Sequence, residues 1–122
     1  MEYACGGDLA KYISSAQAAK IFKNATLKLQ WTKRVVLKLI EALTEIHEMG
    51  FVYRDLKPSN VVISHDGSLK LCDYGLVGKI DSIDDSFCGT PEYMSPERLT
   101  DKRKKFALEG SVDAWSLGVF TF

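Results

Sequence analysis

From Trp31 to Met49, the residues Val35, Val36, Leu39, Ile40, Leu43, Ile46 and His47 recur at spacings of three and four. That period marks one face of an α-helix, and Gly50 directly after it supplies a C-terminal stop. Upstream, Gly6-Gly7 is a flexible joint, and Asp8 is a good N-cap for a shorter helix carrying Leu9, Tyr12, Ile13 and Ala16. Downstream the character changes. Val61-Val62-Ile63 and Leu69-Lys70-Leu71-Cys72 are short β-prone runs flanking Ser64-His65-Asp66-Gly67-Ser68, which predicts a hairpin. From Asp73 to about Tyr93 the chain carries Gly75, Gly78, Gly89 and Pro91 and shows no period. So long an irregular stretch in a compact domain goes with function or with disorder. The basic run from Lys102 to Lys105 reads as a solvated loop.

With 122 residues there is room for one small domain. Sixteen basic residues balance sixteen acidic ones, which argues against attachment to nucleic acid or to an anionic membrane by bulk charge. No apolar run approaches the roughly 18 residues that span a bilayer. The segment Met1 to Gly7 has neither the basic nor the apolar region of a secretory signal. Cys5, Cys72 and Cys88 are odd in number and widely spaced, which disfavours a disulfide framework or a zinc site and fits a reducing, cytoplasmic compartment.

Three segments carry chemistry, in this order: Tyr53-Arg54-Asp55-Leu56-Lys57-Pro58-Ser59-Asn60, then Asp73-Tyr74-Gly75, then Gly89-Thr90-Pro91-Glu92-Tyr93-Met94-Ser95-Pro96-Glu97. Together they resemble the H-R-D-L-x-x-x-N catalytic loop, the D-F-G metal motif and the A-P-E motif of the protein kinases. The resemblance is greatest to serine/threonine kinases of the AGC group. Those often have Tyr at the His position, a hinge similar to Met1 to Asp8, an F-C-G-T-P-E-Y run similar to Phe87 to Tyr93, and a helix start similar to Asp113 to Gly118.

The implied fold is α+β, a protein-kinase-like large (C-terminal) lobe, mainly helical, with a short β-hairpin and a long activation segment. The implied cofactors are ATP and Mg2+, and the implied partners are a protein substrate with a Ser or Thr acceptor and an upstream activating kinase. By the same resemblance Asp55 is the base for the substrate hydroxyl, Lys57 contacts the transferred phosphate, and Thr90 braces that pair. Asn60 and Asp73 are the magnesium ligands, oxygen donors as this hard cation prefers. Glu2 and Ala4 meet the adenine edge, Asp8 the ribose, Val62 lies under the base, and Cys72 lines the nucleotide pocket. Arg54 receives an activation-loop phosphate, and Ser86 is its expected carrier. Asp113 bonds the catalytic-loop backbone near Tyr53 and Arg54, and Glu97 awaits an arginine.

Two departures from the family pattern stand out: Tyr74 for Phe, an aromatic plug with an added hydroxyl, and Ser95 for Ala. Neither removes a catalytic group. The sequence contains no Gly-rich phosphate-covering loop and no V-A-I-K lysine. It opens at the hinge and ends on an apolar run, so residues 1–122 read as a partial kinase domain, inactive and marginally stable alone, with the small lobe and later helices outside it. The competing classes are a non-catalytic kinase remnant that binds nucleotide or a partner, and a helical scaffold with coincidental motifs. Asp55, Asn60 and Asp73 speak against the remnant, since a binding module has no use for the base.

Overall fold

A computed structural model describes residues 7–80, 88–100 and 110–121, apart from the side chains of Glu97 and Thr100. Three helices open the chain: α1 (Leu9–Ile13), α2 (Ala16–Phe22) and α3 (Ala25–Glu48). Each is started by a polar side chain that satisfies an orphan amide of its first turn. The Asp8 carboxylate accepts from Lys11 N at 2.9 Å, the Ser15 hydroxyl from Ala18 N at 3.2 Å and the Asn24 amide oxygen from Leu27 N at 3.1 Å. The second cap corrects the sequence reading. Ala16 opens a new helix instead of extending the first, because Ser15 breaks the run and caps again.

Helix α3 has 24 residues, about 36 Å of axis. It starts at Ala25, well before Trp31, in a turn whose Leu27 and Leu29 are exposed and so leave no stripe to read. Its buried face is Val35, Leu39, Leu43 and Ile46. That face is narrower than the stripe seen in sequence, with Val36 half-buried and Ile40 43% exposed. Gly50, at φ 81°, ends the helix by donating to His47 O at 2.9 Å.

Short strands follow: β1 (Phe51–Val52), β2 (Val61–Ile63), β3 (Leu69–Leu71) and β4 (Gly78–Lys79). The predicted hairpin forms, with β2 antiparallel to β3 and Val62 opposite Lys70. Its turn is closed by Gly67 at φ 78° and by Asp66, whose carboxylate accepts from Ser68 N at 3.0 Å. Strand β4 pairs back onto β1 and interrupts the stretch expected to be wholly irregular. Two residues are too few to carry a period. A 3-10 turn at Pro91–Tyr93 and the helices α4 (Pro96–Thr100) and α5 (Ser111–Thr121) complete the described order. The core joins Leu9 and the α3 stripe to Tyr53, Leu56, Val61 and Leu71, so the segment after β1 is anchored on both sides. No helix among the described residues is long and apolar enough to cross a membrane.

Ser95 is fully buried, and its hydroxyl has no hydrogen-bond partner among the described residues. Such an orphan costs about 1–3 kcal/mol. Ser95→Ala is therefore expected to raise unfolding stability by about 1 kcal/mol, read from urea denaturation of the full-length protein. A loss of stability of similar size would contradict this.

Candidate active site

The site is assembled on the segment that leaves β1. Val52 and Tyr53 are buried, and the chain then turns sharply through Arg54, which has φ 71°. A side chain in that left-handed region costs on the order of 1 kcal/mol or more and persists only where neighbours hold it. Asp113 of α5 is the holder. Its carboxylate, 0% exposed, accepts from Tyr53 N and from Arg54 N, both at 2.8 Å. The Arg54 guanidinium lies along the β4 side, donating from Nε to Leu76 O at 2.6 Å. A Cβ on Gly78 would come within 2.5 Å of the same guanidinium.

This turn presents Asp55, 7% exposed, to three polar side chains. Thr90 Oγ1 donates to Asp55 Oδ1 at 2.7 Å and accepts from Lys57 Nζ at 2.7 Å. Lys57 Nζ is also 3.1 Å from Asp55 Oδ2. Asn60 Nδ2 donates to Asp55 O at 2.9 Å and to Asp55 Oδ2 at 2.8 Å. The four residues predicted as catalytic thus form one connected network. Because the Asn60 amide nitrogen is committed to Asp55, the Asn60 carbonyl oxygen is the atom left to act as a ligand.

Asp73 sits just past β3, exposed, at φ 60°. Its carboxylate accepts from Gly75 N at 3.3 Å. A bond from Cys72 N to Asn60 O at 2.9 Å ties the strand end bearing Asp73 to the segment bearing Asn60. One carboxylate and one amide oxygen suit magnesium, which binds few protein groups and draws its remaining ligands from phosphate and water.

Asp8 forms an isolated antiparallel bridge with Val62, and Ile63 N donates to Gly7 O at 3.0 Å. Asp8, Val62, Cys72 and Asp73 are thereby brought to one region. The Asp8 carboxyl is held below its usual range by the Lys11 backbone and side-chain hydrogen bonds, so it serves as a cap as well as a candidate ribose contact. Glu2, Ala4 and Ser86 lie outside the described residues, as does the side chain of Glu97. A separate groove of about 550 Å³, lined by Leu9, Tyr12, Trp31, Val35, Ile63 and Leu69 among others, shares no residue with the Asp55 network.

Burial, then the Asp73 and Asp8 carboxylates, push the Cys72 thiol above its ordinary pKa. A raised pKa means less thiolate at neutral pH. Alkylation of Cys72 by iodoacetamide at pH 7.5 is therefore expected to be slower than that of a free cysteine, and to keep rising with pH after the free thiol has levelled. Peptide mass spectrometry of the full-length protein reads both rates, and a fast plateau near pH 8 would contradict the expectation.

Two features escaped the sequence reading. The Tyr53 hydroxyl, buried and with its pKa pushed up chiefly by that burial, donates to Cys72 O and so links the Asp55 segment to Asp73. His47, read only as part of a helical stripe, reaches Asp113 at 2.7 Å. A polar residue in an apolar stripe just ahead of the helix stop was the available signal. Tyr74 corrects an expectation: it is 58% exposed and touches Tyr53 edge-on, at a centroid distance of 5.8 Å. The left-handed backbone at Asp73 turns the next residue outward, so the added hydroxyl needs no buried partner.

The chain belongs to the protein kinase family: the protein kinase domain profile matches residues 1–122. It is 37% identical to the Rho-associated protein kinase let-502 of Caenorhabditis briggsae, over 100% of this chain and 10% of that protein. It is 36% identical to cAMP-dependent protein kinase catalytic subunit 3 of Drosophila melanogaster, over 99% of this chain and 19% of that protein. With cGMP-dependent protein kinase 2 of Rattus norvegicus it shares 44% identity over 75% of this chain and 12% of that protein. The chain thus spans a fifth or less of the length of these relatives.

Proposed function

We propose that this chain carries the catalytic loop and metal-binding segment of a serine/threonine protein kinase. The whole protein transfers the γ-phosphoryl group of ATP to a serine or threonine hydroxyl. In this reading α3 to α5 belong to the large lobe, residues 73–97 are the activation segment, and the small lobe lies elsewhere in the protein. The observation that supports it best is the closed network of Asp55, Lys57, Thr90 and Asn60.

Phosphoryl transfer asks a protein mainly for positioning and for neutralisation of charge. Asp55 takes the proton from the attacking hydroxyl as the new oxygen–phosphorus bond forms and the bond to ADP breaks. Thr90 and Asn60 hold the two carboxylate oxygens so that the base faces one direction. Lys57, steered by Thr90, offers its ammonium to the phosphate in flight. Bound magnesium, held by Asp73 and the Asn60 carbonyl, would neutralise the phosphates. Lys57 and Thr90 together favour a Ser or Thr acceptor over tyrosine. Arg54 as the receiver of a phosphate on Ser86 belongs to the same reading.

The test is phosphotransfer from labelled ATP with magnesium by the full-length protein, followed by phosphoamino-acid analysis of a basic peptide library. Phosphoserine and phosphothreonine are expected. Incorporation no greater than in a sample without enzyme would sink the kinase reading and favour a nucleotide- or partner-binding remnant.

A further inference from the structure

We propose that His47 is a positioning residue for the catalytic loop, acting through the buried carboxylate of Asp113. The functional part of this inference rests on the kinase reading above. The Asp113 carboxylate holds the Tyr53 and Arg54 amides at 2.8 Å each, and its Oδ2 also lies 2.7 Å from His47 Nε2. A carboxylate only accepts, so Nε2 carries the proton and His47 is the donor. His47 stands in the last turn of α3, and its carbonyl accepts from Gly50 N at 2.9 Å, just ahead of β1. One residue therefore joins the end of α3, the start of α5 and the backbone that leads into Asp55.

The ring is confined. Gly110, buried and at φ 75°, lies so close that a Cβ there would meet His47 Cε1 at 2.8 Å and Nδ1 at 2.9 Å. With Gly110 against the ring and Asp113 at Nε2, the imidazole has little freedom, and it fixes the plane of the carboxylate in turn. The consequence falls on Arg54, whose left-handed backbone stays in place only while its amide is held. Without the histidine donor the carboxylate can rotate, the Arg54 peptide can relax, and Asp55, the next residue, moves with it. A displacement of about 1 Å in a reacting group can cost on the order of 100-fold in rate.

The test uses the full-length protein with two variants. His47→Leu removes the donor, and His47→Gln keeps an N–H at a similar reach. Amide hydrogen exchange at Tyr53 and Arg54 is expected to speed up about tenfold in His47→Leu and to stay within about twofold of wild type in His47→Gln. In parallel, kcat is expected to fall about tenfold in His47→Leu, with KM for ATP and peptide unchanged and with His47→Gln near wild type. Should His47→Leu not fold, His47→Asn carries the same amide one methylene short and has the same expected effects. Unaltered exchange at the two amides, equal exchange in the donor-less and Gln variants, or an unchanged kcat without the donor would each overturn the proposal. If the amides respond as expected while wild-type protein shows no phosphotransfer, the kinase reading fails and the control of the loop by His47 stands.

Discussion

Replacing Asp55 with asparagine is expected to lower kcat for phosphotransfer by the full-length protein by about 10²–10⁴, the usual worth of a positioned general base. The amide is nearly the same size, so the loss comes from chemistry more than from shape. Oδ1 can still accept from Thr90, and the Asp55 backbone oxygen can still accept from Asn60. What disappears is the basic oxygen, and with it the ion pair to Lys57 at 3.1 Å. An amide nitrogen at the Oδ2 position also opposes the Asn60 and Lys57 donors, a conflict of about 1–3 kcal/mol. The variant should therefore be somewhat less stable but folded, with KM for ATP little changed, because the proton is accepted only in the transition state. Steady-state kinetics of the two proteins checks this. Equal rates would remove Asp55 from the chemistry and return the protein to the class of binding modules.

Asp113→Ala is expected to be the most destabilising change at the site, by about 3–5 kcal/mol in urea unfolding of the full-length protein. Three donors lose their acceptor at once: the Tyr53 and Arg54 amides and His47 Nε2. Tyr53 and the Asp113 carboxylate are both 0% exposed, so little water can reach in to replace the lost acceptor. Arg54 would also lose what keeps it at φ 71°. Asp113→Asn should cost less, since its carbonyl oxygen still accepts from one amide, and the difference between the two variants separates hydrogen bonding from packing. An alanine variant within about 1 kcal/mol of wild type would show that the loop is held by its apolar contacts instead.

Much of this architecture is legible in the sequence itself. The period from Val35 to Ile46, the stop at Gly50, the cap at Asp8 and the hairpin around Asp66-Gly67 are encoded within a few residues of where they act. The order of the Tyr53–Asn60, Asp73–Gly75 and Gly89–Glu97 segments likewise pointed to the kinase family on sequence alone. The misreadings were local competitions. Ser15 split a helix that the apolar spacing alone ran together, and exposed Leu27 and Leu29 hid the first turns of α3.

Sequence by itself thus determined most of the elements, the order of the motifs and the family they mark. Only the tertiary structure decided which of them meet. Thr90 reaches Asp55 across 35 positions of chain, Asp113 reaches the Arg54 amide across 59, and His47 reaches Asp113 across 66. No local period records such pairings. They depend on α5 packing against α3 and on the buried Tyr53 and Leu56 drawing the loop into the core. Once there, the buried Asp55 carboxylate and the Tyr53 amide have to find partners inside the protein, because little water reaches them.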